Sequence, residues 1–165
     1  MPSPLGHALG GLAAGWLVAG RRRPFGRADL AEAAVFVAVA LAPDLDLLTG
    51  GHRGPTHGFG SVCVAGLLTY LATRRVAFAA ATAAAYGSHI LLDWLGSDTT
   101  PPIGVMALWP FSYQYYASTL QVFHAVSRRY WLPDFWFLIA RAAARELLVL
   151  LPLTALIAYV RRVKG

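Results

Sequence analysis

Five apolar runs dominate this chain. They cover residues 4–20, about 29–42, 58–73, 76–95 and about 134–159, and each is long enough for about four helical turns or more. A helix that spans a membrane needs roughly 20 apolar residues, with a range of about 17–25, so these runs are short to adequate for crossing one. Composition points the same way. The chain is 57% hydrophobic and only 13% charged, with 16 glycines, which is ordinary for a membrane helix bundle and unusual for a soluble globule. The sequence therefore predicts one domain, residues 1–165, built as an all-α, polytopic membrane helix bundle of about five helices. A soluble or surface-bound helical bundle is the competing architecture.

Local signals mark the helix ends. Asp29 is placed to cap the second helix, with Glu32 three residues on in a capping-box pattern. Pro43 stops that helix, and Asp134 is placed to cap the last one, in which Pro152 predicts a kink. The first run is not a standard signal peptide, because its basic residues follow the apolar stretch. The segment 96–133 is rich in aromatics, among them Trp109, Phe111, Tyr113 and Trp131, which suits a membrane interface or a cap over a site. The single cysteine, Cys63, excludes an internal disulfide, and its apolar setting predicts a buried thiol.

A net charge of +6 raises nucleic acid as a partner. The positions of the charges argue against it. If the N-terminus lies outside and five helices cross, nine of the fourteen Lys and Arg residues fall inside: Arg21, Arg22, Arg23, Arg27, Arg74, Arg75, Arg161, Arg162 and Lys164. Arg53, Arg128, Arg129, Arg141 and Arg145 fall outside. That bias follows the positive-inside rule and accounts for the basic balance without nucleic acid.

Against this apolar background two polar clusters stand out. Residues 43–57 hold two of the six Asp and two of the five His: Asp44, Asp46, His52 and His57. His89 and Asp93 follow at i and i+4, one turn apart on one helix face. Together with His7, at the start of the first run, all fall at the outer end of the predicted bundle. Loop chemistry is the plain reading of one Asp, and a satisfied core histidine that of His89 alone. In an extended segment, however, Asp44 and Asp46 point to one side. A carboxylate beside an imidazole at the edge of hydrocarbon is costly unless paired or metal-bound. Three converging carboxylates would repel one another, and divalent cations would offset them. The set His7, Asp44, Asp46, His52, His57, His89 and Asp93 is thus the expected metal shell, with enough donors for two ions. Zinc is favoured, with manganese and iron as alternatives. Arg53 reads either as a solvated loop charge or as a clamp for an anion. His124, Arg141, Arg145 and Glu146 stay unassigned between an interfacial helix end and the site.

His7, Pro43-Asp44-Leu45-Asp46, His52-Arg53-Gly54-Pro55-Thr56-His57, His89-Ile90-Leu91-Leu92-Asp93 and Gly104 through Trp109-Pro110-Phe111-Ser112 resemble the YdjM-type family. The resemblance covers most of residues 1–115. Gly58 departs from the serine common after the second histidine, and 97–102 looks like a short expansion. The resemblance implies a multi-pass protein of the inner (cytoplasmic) membrane and a metal-dependent hydrolase, and it implies hydrolysis more firmly than any single residue does.

The expected function is metal-assisted hydrolysis at the outer membrane–water boundary. The substrate would be a phosphoester or a lipid-derived anion, with Asp46 as base and Arg53 as anion clamp. The lipid bilayer is the expected partner. A non-catalytic membrane metal-binding or assembly protein is the alternative. A transporter ranks last, because the middles of the runs lack ionisable residues. The topology is testable: a cysteine placed at Gly51 is expected to be labelled from outside the cell, and one at Arg74 only from the cytoplasm. The reverse pattern would invert the orientation.

Overall fold

The computed structural model describes residues 1–20, 26–49, 53–126 and 130–163. The chain forms α1 (Pro4–Ala19), α2 (Arg27–Leu41), two 3-10 helices (Ala42–Thr49 and Pro55–His57), α3 (Phe59–Thr73), α4 (Val76–Trp94) and α5 (Phe135–Val163). Among the described residues no strand occurs, and only two isolated bridges, Gly96 to Phe123 and Val105 to Tyr116, interrupt the helical pattern. The all-α class and the five α-helices are as expected. By length and composition, α4 and α5 can cross a membrane, whereas α1 and α3 are apolar but shorter. Cys63, expected to be buried, is exposed on α3, a helix on which no residue is buried.

The helix ends follow local chemistry, with two corrections. Gly26, not Asp29, precedes α2; Asp29 sits three positions later, and its carboxylate accepts from the Gly26 N–H at 2.9 Å. The acid is the back-bonding member of the cap, which relieves an orphan donor and favours the positive end of the helix. Pro43 does end the α-helix, but the chain continues as a 3-10 helix and does not become extended. In a 3-10 helix residues i and i+2 point to different sides, so Asp44 and Asp46 diverge.

α1 and α4 are the central pair. α1 packs on α2, α4 and α5; α4 packs on α1, α2 and α3. Small residues make these approaches close. A Cβ on Gly11 would fall 2.2 Å from the Ala40 Cβ, and one on Gly15 would meet the Phe36 ring at 2.5 Å. Glycine at such crossings lets two helix backbones approach, a common arrangement in membrane bundles. Trp16, Phe36, Ala81 and Ala85 fill the core beside this contact. A second cluster, Leu92, Phe123 and Leu150, joins α4 and α5 to the irregular segment 96–126.

The irregular segment is tied to the helices by backbone bonds. Ser97 N–H donates to the Phe123 carbonyl at 2.8 Å, and Gly60 N–H donates to the Trp109 carbonyl at 2.7 Å. Gly104 adopts φ 95°, and a Cβ there would lie 2.3 Å from the Tyr116 carbonyl oxygen, so only glycine fits that crossing. Residues 107–111 thereby lie across the start of α3.

Gly11→Val is expected to destabilise the chain by about 1–3 kcal/mol or more through overpacking against α2. Gly87→Ala, where an added Cβ finds only ordinary contact at 3.7 Å, is expected to be neutral or slightly stabilising. Unfolding in detergent micelles measures both.

Candidate metal centre

Four chain segments deliver polar side chains to one point. His7 comes from the first turns of α1, Asp44 from the 3-10 helix after α2, His57 from just before α3, and His89 and Asp93 from the last turns of α4. His7, His57 and His89 have no exposed surface, and Asp93 is 3% exposed. His7 Nε2 lies 3.3 Å from Asp93 Oδ1. His57 and His89 each place Nε2 3.4 Å from Asp93 Oδ2. Asp44 Oδ1 is 3.7 Å from His57 Nε2 and 3.6 Å from His89 Nε2. The His7 and His89 rings stack at 3.7 Å. Two overlapping donor trios result, His7–Asp44–His89 and His57–His89–Asp93, each with its ligand atoms within 4.8 Å of one another.

The proton positions follow from the partners. His89 Nδ1 lies 2.7 Å from the Ala40 carbonyl oxygen. A carbonyl only accepts, so Nδ1 carries the proton and Nε2 carries a lone pair. On His57, Nδ1 faces Asp46 Oδ2 at 3.3 Å and Thr56 Oγ1 at 3.0 Å. Thr56 already donates its hydroxyl proton to Asp46 Oδ2, at 2.7 Å, so here too the ring nitrogen is the donor. Both Nε2 lone pairs therefore face each other, 3.1 Å apart, with carboxylate oxygens alongside. Such an arrangement of acceptors repels itself unless a cation or a shared proton sits among them.

The carboxylate contacts in this cluster fall outside hydrogen-bond geometry. Both oxygens of Asp93, Oδ1 of Asp44 and both ring nitrogens of His7 have no hydrogen-bond partner among the described residues. Buried groups of this kind cost several kcal/mol each when left so. Their spacing suits a metal: donors about 2.0–2.2 Å from a tetrahedral ion are about 3.3–3.6 Å from one another. Asp44 is the most open member, with its side chain 24% exposed.

Five of the seven expected metal ligands thus converge: His7, Asp44, His57, His89 and Asp93. His52 lies outside the described residues. Asp46 sits on the Nδ1 side of His57, where it accepts from Thr56 Oγ1 and from the Arg53 N–H at 3.0 Å. That is the place of a carboxylate that orients a metal-binding histidine and makes it more basic. Arg53 is also placed differently from an anion clamp. Its guanidinium pairs with Asp98 and donates to the Thr100 carbonyl at 3.0 Å. Its backbone is left-handed at φ 66°, which directs its N–H to Asp46 while its carbonyl accepts from Met106 N–H. Arg53 thereby ties the 3-10 segments to the irregular segment.

Of the unassigned residues, His124 stands in a separate contact, accepting from Arg145 Nη1 at 3.1 Å. Glu146 belongs to neither trio and is fully buried. Thr56, Asp98 and the Ala40 carbonyl complete the surroundings and escaped the sequence reading. Thr56 stood inside the His-Arg-Gly-Pro-Thr-His stretch and was recoverable from it, whereas Asp98 and a main-chain carbonyl carry no sequence signal. A family model described as YdjM inner membrane protein matches residues 1–164. No curated protein and no solved structure matches the chain.

Arg53→Ala breaks a buried ion pair and is expected to cost about 3–5 kcal/mol, with the loss much smaller in an Asp98→Ala background. Equal losses in both backgrounds, read by denaturation in detergent, would remove the tie from Arg53.

Proposed function

The chain belongs to the YdjM inner-membrane family, and on that premise we propose that it is a multi-pass membrane metalloprotein that hydrolyses an anionic, phosphoester or lipid-derived substrate at the outer membrane–water boundary. One observation carries the metal: the Nε2 atoms of His57 and His89 lie 3.1 Å apart beside the buried Asp93 carboxylate, while Nδ1 of each ring already faces an acceptor of its own. His7, Asp44, His57, His89 and Asp93 would hold the ion. Two ions were the expectation from the donor count. The two trios share His89, whose single free lone pair serves one ion, so the reading is one divalent ion per chain, zinc favoured.

A bound divalent ion there would acidify a water and polarise a phosphoryl or carbonyl oxygen. The remaining work falls to the chain's own groups. Asp46 and Thr56 fix the His57 ring, and the Ala40 carbonyl fixes His89. Asp44, the member most open to solvent, is the carboxylate that would take up a proton. Segment 107–111 covers the approach from the α3 side.

Membrane embedding rests on exposed apolar surface. No residue of α3 is buried, and α5 exposes Trp136, Phe137, Leu148, Leu151 and Leu156. In water such faces are an aggregation hazard; in hydrocarbon they are matched. The basic residues Arg74, Arg75, Arg161 and Arg162 lie at the helix ends away from His7 and Asp93, which agrees with a cytoplasmic end opposite the donors.

The wild-type chain purified in detergent is expected to carry one zinc, and His89→Ala and Asp93→Ala are expected to carry less than about a tenth of that. Activity is expected toward phosphoester or lipid-ester substrates, lost with the metal and restored by its return. Full metal in the two variants would sink the metal centre. Full metal with no turnover of any phosphoester or lipid ester would favour the non-catalytic metal-binding reading.

A further inference from the structure

Three imidazoles meet at the donor cluster, and they are held in different ways. The rings of His57 and His89 are fixed by hydrogen bonds at Nδ1, to Asp46 with Thr56 and to the Ala40 carbonyl. The His7 ring has no hydrogen bond at either nitrogen among the described residues; it rests on the His89 ring. Beside that contact and the 3.3 Å approach of Nε2 to Asp93, its place is set by its backbone, and His7 stands four residues after the N-cap of α1.

The N-cap is Ser3, and it is gripped from α5. Ser3 N–H donates to Glu146 Oε1 at 2.7 Å, and Ser3 Oγ donates to Glu146 Oε2. Ser3 passes the constraint on: its hydroxyl accepts from Gly6 N–H at 3.3 Å, and its carbonyl accepts from His7 N–H at 3.1 Å. Glu146 has no exposed surface, and its carboxylate lies at the positive end of α1, where a negative charge is favourable. The fit demands glycine at position 6, because a Cβ there would stand 2.8 Å from Glu146 Oε2.

We infer that Glu146 is a positioning residue for the metal centre, holding His7 in place through Ser3 across the α5–α1 interface. The inference rests on the proposed metal site. It gives the buried acid of the last helix a defined task, and it makes α5, which contributes no donor to either trio, a determinant of metal affinity. Outer partners of metal ligands commonly alter affinity by about 10–100-fold; one further step removed, the expected effect is about tenfold.

The test is a double-mutant cycle on the full chain in detergent, with zinc affinity read by chelator competition and the cobalt(II) spectrum as a signature of the ligand set. Glu146→Gln keeps the shape but opposes an amide N–H to one Ser3 donor. It is expected to weaken zinc about tenfold in the native background and by less than about twofold in a His7→Ala background. The cobalt spectrum of Glu146→Gln is expected to shift toward that of His7→Ala. If Glu146→Gln fails to fold, Gly6→Ala, which retains the carboxylate but displaces it, is expected to give the same His7-dependent loss. Zinc affinity unchanged by these variants, or an equal loss in both backgrounds, overturns the inference and leaves the metal centre standing. A wild-type chain that binds no zinc, or a His7→Ala chain that binds it as tightly, overturns the metal-centre reading and the inference with it.

Discussion

A carboxylate buried among three imidazoles is the constraint on which the rest depends. Asp93 is 3% exposed, and neither of its oxygens has a hydrogen-bond partner among the described residues. An ionised group so placed costs several kcal/mol unless positive charge is brought to it. His89 is supplied by the same helix one turn earlier. His7 and His57 must come from elsewhere, which requires α1 and the start of α3 to approach the end of α4 closely. The glycines of α1 permit that approach, and they make the packing sensitive to single methyl groups.

Around this point the chain arranges a layer of orienting contacts that differ in kind. A main-chain carbonyl turns His89, a carboxylate and a hydroxyl turn His57, and a capped helix start places His7. Arg53 serves a different end. Its guanidinium joins Asp98, and its backbone joins Asp46 and Met106, so it ties the 3-10 segments to the irregular segment. An arginine held in this way is a structural clasp.

Mutually supportive ends explain why the molecule needs little regular structure outside its helices. Segment 96–126 has only isolated bridges, yet it is pinned at Ser97, Gly104, Met106 and Trp109. Its exposed aromatics, such as Phe111 and Tyr113, suit the interfacial layer of a bilayer, where rings with one wet edge are favoured. The proposed orientation, with donors outward and arginines inward, lets one sequence satisfy both the site and the membrane.

The five helices, their approximate ends and the residue types of the cluster were legible in the sequence, because apolar runs and the His–x–x–x–Asp spacing are local patterns. His89 and Asp93 share a face for reasons of helical period alone. What the sequence could not decide was direction. Asp44 and Asp46 look equivalent two residues apart, but the chain after Pro43 turns as a 3-10 helix, so one faces the imidazoles and the other stands behind His57. Arg53 and Glu146 look like site residues by type, yet their partners, Asp98 and Ser3, lie 45 and 143 positions away. The local sequence determines which residues are helical and which can carry charge. Only the packing of α1, α4 and α5 decides which of those charges meet, because that choice depends on contacts between residues far apart in the chain.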